Sequence, residues 1–457
     1  MQGDPTEGAL AASARKGGLS RAEMQAAFPR VDVIPFESER QYMATLHDRG
    51  PHAARLVCVK GPTDRSDLRP EDGASGLVFL GLQGMMDPPR PEAAAAVAAC
   101  QRAGIRVKMI TGDHAATAAF IARQVGISGG APGSGQPVLT SSELARMSDH
   151  ELITRAEDTA VFARVSPEHK LRIVQALQAR GNVVAMTGDG VNDAPALRTA
   201  DIGVAMALGG TEVAREASDM ILTDDNFASI EAAVEEGRVV FDNLRKFISW
   251  TLTTNGGEAL ALLSAIFLGI SLPILPVHIL WINMATAVLL GMMLAFEPRE
   301  KGIMDRPPND PAGPLLDSVL LQRIGLVSVL VAAAAFGAYE WTLARGATRV
   351  EAQTAAVASI VVAETFYLHN CRSLNRSLLS AGLFSNPWAW LGSIAMVGAQ
   401  IAFTYLPLFN RLFKTAPIGI DAWGIVMALG LAVSAAAGAE KLIRRKVENA
   451  RQRGQPV

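Results

Sequence analysis

Cysteine is scarce in this sequence. Cys58, Cys100 and Cys371 are the only three in 457 residues, far apart and odd in number. They give no disulfide framework and none of the short spacings of a zinc site. Excess charge is lacking too: 42 Lys and Arg against 44 Asp and Glu leave a net −2, which argues against a nucleic-acid partner. Residues 1–20 are small, polar and Gly-rich without an apolar core, so no signal peptide is expected. Long apolar runs are missing up to residue 245 and dominate residues 247–438. The length is that of two or three domains, and the pattern is a soluble part followed by a membrane part.

A spanning helix needs about 20 mostly apolar residues. Six candidates are expected, at 247–269, 273–295, 321–343, 353–370, 388–408 and 422–440. The first two are joined by "GISLPILP", short enough only for a hairpin. Basic residues set orientation. Arg238, Arg245 and Lys246 precede the first span, and Arg299, Lys301, Arg306 and Arg323 follow the second. Arg372 and Arg376 follow the fourth, and Lys441, Arg444, Arg445 and Lys446 follow the sixth. The opposite loops carry fewer, so both termini are expected in the cytosol, in a multi-pass membrane protein with lipid as its surroundings.

Polar residues inside these spans are the informative exceptions. Asn255 and Glu258 lie at i and i+3 in the first, and Asn283 and Thr286 likewise in the second; Glu364 lies in the fourth. A carboxylate in hydrocarbon costs at least about 2.5–3.5 kcal/mol, so it normally faces a cavity or a partner. The bland reading is hydrogen-bond glue between helices. The sharper one is a site for a hard cation, which such oxygen ligands suit.

In the soluble part, the apolar "LVFLGL" precedes "MMDPPRPEAAAAVAACQRAG", and "IRVKMI" runs into "TGDHAATAAFIARQVG". "TAVFARV" precedes "SPEHKLRIVQALQARG", where Ser166 reads as a helix cap and Pro167 as first-turn proline. "NVVAM" then ends in "TGDGVNDAPAL". Strand, turn and helix in repetition predict a parallel sheet covered on both faces, an α/β doubly wound domain. Ligands of such sheets sit at the C-terminal strand ends, where both "TGD" triplets fall. Asp189 follows a strand and Asp193 opens a helix, with Pro195 just inside it. One or two carboxylates plus phosphate oxygens suit Mg²⁺. Thr111, Gly112 and Asp113 offer a hydroxyl and backbone donors, and Lys170 a point charge for a phosphoryl group. Turn and cap chemistry alone accounts for one such triplet. Two of them, with the lysine, favour a phosphate site.

Those strings, with "MMDPPRPE", "MITGDH", "ARVSPEHK", "ADIGVAMA" and "GTEVAREASDMIL", resemble the P-type cation-transporting ATPases, in the branch of calcium and sodium/potassium pumps. "GRVVFDNLRKFISW" is similar to the stalk entering that family's fifth membrane helix, which makes the six spans helices five to ten. The resemblance implies a HAD-like phosphorylation domain over 77–236, after a partial nucleotide-binding domain over 1–62 and a linker over 63–76. A six-helix all-α transmembrane domain over 237–440 and a basic tail over 441–457 complete the expectation. It implies that Asp189 binds Mg²⁺, that Asn192 and Asp193 support the phosphorylated aspartate and its metal, that Thr111, Gly112 and Asp113 contact phosphate, and that Lys170 contacts the phosphoryl group. For ATP it implies Phe36 stacked on adenine, Glu7 at the nucleotide and Lys60 lining its pocket. Asn255, Glu258, Asn283, Thr286 and Glu364 are then ligands of a transported cation, calcium-like or monovalent.

The departures carry as much. "DKTGT" does not occur, so the phosphate-accepting aspartate is not among these residues, nor is a "TGES"-like loop. The likeness opens inside the nucleotide-binding domain, and the stretch "GPTDRSDLRPEDGAS" (61–75) stands where the family has several tens of residues, including an arginine that contacts nucleotide. Ala287 follows Thr286 where calcium and sodium pumps carry an aspartate. The expectation is the C-terminal portion of an aspartyl-phosphate pump, inactive alone, with a separate N-terminal half supplying "DKTGT" as partner. The alternative is a non-catalytic truncated membrane protein, a remnant or partner subunit. A soluble phosphatase of the same fold would need the same nucleophile.

Overall fold

The computed structural model describes residues 5–35, 42–50, 55–60, 78, 80–81, 88–127, 138–374, 382 and 384–452. The chain divides into two compact units, Met1–Pro88 and Pro89–Val457. In the first, α1 (Pro5–Lys16) and α2 (Arg21–Ala27) precede an antiparallel meander of β1 (Arg30–Ile34), β2 (Met43–His47) and β3 (Leu56–Lys60). The register pairs Met43 with Lys60 and His47 with Leu56. Along β3 the exposed Val57 and Val59 alternate with half-buried Leu56, Cys58 and Lys60, the period-two pattern of a sheet with one covered face.

The second unit opens with α3 (Pro91–Arg102), β4 (Met109–Ile110), α4 (Ala115–Gln124), β5 (Val138–Thr140), α5 (Ser141–Arg146), α6 (Asp149–Asp158), β6 (Val161–Ala163) and α7 (Pro167–Ala179). There follow β7 (Ala185–Gly188), α8 (Ala194–Thr199), β8 (Ile202–Met206), α9 (Glu212–Glu216) and β9 (Met220–Leu222). Helix starts follow the local chemistry. The Ser166 hydroxyl accepts from the His169 N–H with Pro167 in the first turn, and Ser148 and Glu151 form a reciprocal box before α6. β6 shows both faces of the sheet covered. Val161 and Ala163 pack with Ala118 and Ala122 of α4, while Phe162 packs with Leu144, Leu152 and Ile173 on α5, α6 and α7.

The strands form two parallel sheets, β4-β6-β5 and β7-β8-β9, rather than one. Among the described residues β4 pairs only with β6, and β7 only with β8. Ile110 at the end of β4 and Val184 just before β7 nevertheless pack against the same two hydrophobic clusters, because α7 contributes Ile173 to one and Val174 to the other. The two sheets therefore share one helix but not a strand pair. The strand-like "LVFLGL" and Asp87 lie largely outside the described residues.

Membrane-type helices come next: α10 (Phe227–Leu268), α11 (Pro276–Leu289), α12 (Ser318–Ala344), α13 (Arg349–Cys371), α14 (Pro387–Tyr405), α15 (Pro407–Phe413) and α16 (Ile420–Gln452). Among the described residues three stretches are long and apolar enough to cross a membrane: Pro276–Phe296, Ser318–Ala344 and Ile420–Val447. A fourth is added if α14 and α15, bent by 79° at Leu406, count as one. The six expected spans thus shrink to three or four on this measure. The two that fall short, α10 and α13, are the ones carrying polar runs: Thr251 to Glu258 in α10, and Gln353, Thr354, Glu364, His369 and Asn370 in α13. These α13 side chains are buried against neighbouring helices, so its apolar average understates its place in the bundle.

α10 is one unbroken helix of 42 residues, about 63 Å at 1.5 Å per residue. It carries charge in its first half and membrane-type sequence in its second. Arg238 on its charged half donates to the carbonyls of Ala103, Ile303 and Arg306, fastening α3 and the loop after α11 to one shaft. Arg306 in that loop returns to Asp242 at 2.9 Å. Lower down, Gly256 and Gly257 let α12 approach closely: a Cβ on Gly257 would stand 2.7 Å from Val331 Cγ1.

Candidate active site

β7 delivers Thr187, Gly188 and Asp189 to the end of the second sheet, where a tight turn over Val191–Asp193 leads into α8. Asp193 is buried and fully engaged. Its Oδ2 accepts from the N–H groups of Asp189 (3.3 Å) and Gly190 (3.1 Å), and its Oδ1 accepts from Lys170 Nζ at 2.5 Å. Asp193 therefore fixes the turn and holds the lysine. Asp189 is the opposite case. Its side chain is exposed, and its carboxylate makes no hydrogen bond or ion pair among the described residues. Its main chain is tied down instead, the carbonyl accepting from Thr211 N–H at 2.8 Å and Thr211 Oγ1 at 3.2 Å. A rigid backbone carrying a free carboxylate suits a cation ligand.

The turn tolerates no side chain at Gly188, where a Cβ would lie 2.6 Å from Asp193 Cβ. Gly188→Ala is expected to cost about 1–3 kcal/mol of stability through this overlap and to displace the Lys170–Asp193 pair. A melting temperature equal to that of the unmodified chain would contradict it.

The first triplet is anchored to the same helix. Thr111 accepts through its carbonyl from Val165 N–H at 3.1 Å, and its own N–H donates to Phe162 at 2.9 Å. Its hydroxyl accepts from Asp113 N–H at 3.0 Å, closing a small turn that leaves Gly112 and Asp113 exposed. Asp113 O accepts from Arg164 N–H, and Arg164 adopts a left-handed φ of 54° to donate it. A non-glycine residue held there is strained, and such strain is concentrated near functional loops. α7 thus spans both triplets, touching the Thr111 loop just before its N-terminus and reaching Asp193 from Lys170 in its first turn. Asn192 is exposed beside Asp189.

For Mg²⁺ the residues offer one free carboxylate, Asp189, beside a second that is already spent on Lys170 and two N–H groups. That fits an ion that keeps most of its waters and binds through a single carboxylate plus phosphate oxygens. Of the nucleotide candidates, Lys60 ends β3, Glu7 lies on α1 with its side chain outside what is described, and Phe36 lies outside the described residues. Sequence reasoning passed over Thr211 and Arg164. Both act through main-chain contacts, which residue type and spacing do not reveal.

In the helical part, Asn283 Nδ2 on α11 donates to Glu258 Oε2 on α10 at 3.0 Å. Glu258 is 2% exposed and its Oε1 is unpartnered, while Glu364 is fully buried and neither of its oxygens has a partner among the described residues. Trp250 of α10 donates to the Glu364 carbonyl, which seats α13 against α10. Thr286 is buried one turn from Asn283, its hydroxyl turned back to Ile282 O. Asn255 is not drawn in: it stays exposed, about 60° around α10 from Glu258. Three helices thus converge on two acids with three unpaired oxygens.

Comparison with known proteins agrees at several places. Residues 271–443 match the family described as cation transporting ATPase, C-terminus, and residues 23–201 match the haloacid dehalogenase-like hydrolases. The chain is 51% identical to the "Probable cation-transporting ATPase F" of Mycobacterium tuberculosis, over 97% of this chain and 54% of that protein. It is 46% identical to the "Cation-transporting ATPase pma1" of Synechocystis sp. (93% and 52% covered). To the "Calcium-transporting ATPase" of Bacillus subtilis it is 35% identical (98% and 55% covered). The chain spans about half the length of the curated relatives it matches. The first of these alignments runs over 492 positions against 457 residues here, so the relative holds residues that this chain lacks.

Proposed function

This chain belongs to the P-type cation-transporting ATPases, and we propose that it is the C-terminal portion of a pump that moves a cation through an aspartyl-phosphate intermediate. The observation that carries this reading is the Lys170–Asp193 lock: it presents Asp189 with a fixed backbone and a free carboxylate, beside a helix that also holds the Thr111 loop.

In this reading the acceptor aspartate and its strand come from sequence outside these 457 residues, which contain no "DKTGT". Among the described residues β4 and β7 each pair on one side only, and in this reading that strand fits between them, beside Ile110 and Val184. Lys170 and the Gly112 N–H then face the transferring phosphoryl group, with Asp113 beside them on the exposed turn. Thr111 keeps that loop closed, and Asn192 borders the acceptor. Mg²⁺, held by Asp189, would supply charge neutralisation on the phosphoryl oxygens. ATP is the phosphoryl donor, with Lys60, Glu7 and Phe36 as its pocket. α10 to α16 form the six spans of a multi-pass domain with both termini cytosolic, α14 and α15 counting as one. Glu258, Asn283, Thr286 and Glu364 receive the cation, Asn255 lying exposed outside that cluster, and α10 links the site to the soluble part. The second reading, a non-catalytic remnant or partner subunit, draws on the missing acceptor alone.

The test is co-expression with a polypeptide carrying four membrane helices and "DKTGT", followed by incubation with γ-labelled ATP. Acid-stable, hydroxylamine-sensitive label is expected on the partner only when both chains are present. Label on this chain alone would overturn the missing-acceptor assignment, and no label with both chains present would favour the non-catalytic reading.

A further inference from the structure

A cavity of about 840 Å³ lies between α13, α14 and α16, and neither Glu258 nor Glu364 lines it. Val361, Phe366, Val397, Ile401 and Leu431 make its wall almost wholly apolar. Val397 and Leu431 are 53% and 52% exposed, so the cavity opens on the outer face of these helices. A greasy groove of this kind would hold any hydrocarbon, but two buried side chains make this one selective. Gln400 is 2% exposed, lines the cavity, and has no hydrogen-bond partner for either Nε2 or Oε1 among the described residues. His369 lines it at 7% exposed, with Nδ1 unpartnered.

The tautomer of His369 follows from its neighbour. The Ser393 hydroxyl donates to Ala389 O at 2.8 Å, so its oxygen accepts from His369 Nε2–H at 3.2 Å. A neutral imidazole protonated on Nε2 presents Nδ1 as an acceptor. The cavity therefore lacks a donor for His369 Nδ1, a donor for Gln400 Oε1 and an acceptor for Gln400 Nε2. Polar groups left unmet in hydrocarbon are costly. Ser393 and Gln400 are seven residues apart, about 10 Å along α14, and helical side chains lean toward the N-terminus, so Gln400 reaches back toward the His369 level.

We propose that this cavity binds a neutral, hydroxyl-bearing membrane lipid of the acylglycerol class, its glycerol hydroxyls at His369 and Gln400 and its chain along α14. A bare acyl chain leaves all three groups unmet. Water satisfies them but leaves the apolar volume unfilled. An anionic phospholipid head finds no Lys or Arg among the described residues of the lining. The aromatic ends, Trp390 on one side and Tyr405 with Trp423 on the other, are typical of interfacial levels of a bilayer. The inference rests on α13, α14 and α16 lying in a membrane, and not on phosphoryl transfer or cation binding by this chain.

The test uses the full chain, purified in a non-ionic detergent and stripped of lipid, with 1-monooleoylglycerol as probe and native mass spectrometry as readout. A one-to-one adduct is expected. The di-O-methyl ether of the probe keeps the chain and loses both donors, and should bind about tenfold more weakly. Gln400→Leu should reduce that preference, leaving only the part carried by His369 Nδ1. No adduct, equal binding of the two probes to the unmodified chain, or an unchanged preference in Gln400→Leu would each overturn the proposal. The probe comparison needs no variant, so it stands even if Gln400→Leu fails to fold. Because no nucleotide or cation enters the experiment, failure of the pump reading leaves its result unaffected.

Discussion

Asp189→Asn is expected to lower Mg²⁺-dependent phosphoenzyme by about 100- to 1,000-fold in the two-chain assay, the scale on which a preorganised charge acts on a phosphoryl transition state. The same substitution is expected to leave the melting temperature of the chain unchanged, because among the described residues the Asp189 carboxylate has no hydrogen bond or ion pair while its carbonyl stays on Thr211. Asp193→Asn should behave differently. It replaces one carboxylate oxygen by an amide that cannot accept from Lys170 Nζ, and disturbs the cap over Asp189 and Gly190. A loss of about 1.5–3 kcal/mol in stability is expected, as for a hydrogen bond to a charged group, together with loss of phosphoenzyme. The pair separates metal binding from scaffolding: thermal denaturation and labelled-ATP incorporation, run on both variants, should move together for Asp193 and apart for Asp189. Normal phosphoenzyme in Asp189→Asn would remove that residue from the metal site.

The division of labour between these acids was only half legible in the sequence. Their spacing places both on one turn, and turn chemistry places Asp193 at a helix start. What spacing does not carry is a partner 23 residues upstream: Lys170 reaches Asp193 because β6 hands the chain to α7 and β7 brings it back alongside. The same limit hides Thr211, whose contribution is a hydrogen bond to a carbonyl. The parallel architecture was legible because each strand–turn–helix unit is local, down to the Ser166 cap. The split into two sheets was not, since strand pairing joins segments distant in the chain and local spacing does not carry it. In the helical half the apolar runs announced themselves, yet α10 and α13 fell short on average hydropathy for the very residues that make them interesting. Asn255 shows the remaining weakness: sharing an approximate helix face with Glu258 did not bring it to the buried cluster, because three residues on a 3.6-residue helix still diverge by about 60°.

Glu364→Gln offers the test of whether that cluster binds a cation or merely joins helices. Among the described residues Glu364 is fully buried without a hydrogen bond to either carboxylate oxygen, and Glu258 keeps one oxygen unpaired on α10. Two acids so placed oppose the fold when no cation is bound. Neutralising one of them should therefore raise the melting temperature in chelator, in contrast to glue, whose removal lowers it. Addition of the cognate cation should reverse the order. Ligand that binds only the folded chain stabilises it in proportion to RT ln(1 + [L]/Kd), so the unmodified chain should gain. Glu364→Gln should respond only at about 100- to 1,000-fold higher cation concentration, since a unit charge about 4 Å away is worth about 4 kcal/mol at an effective dielectric of 20. Glu258→Gln should shift the response in the same direction but leave Asn283 partnered through the remaining amide oxygen, so its cation-free gain should be smaller. The measurement is a thermal melt of the purified chain in detergent, titrated with calcium, sodium and potassium in turn. A lowered melting temperature in chelator and an unshifted cation response for Glu364→Gln would leave interhelical hydrogen bonding as the better account of these buried acids.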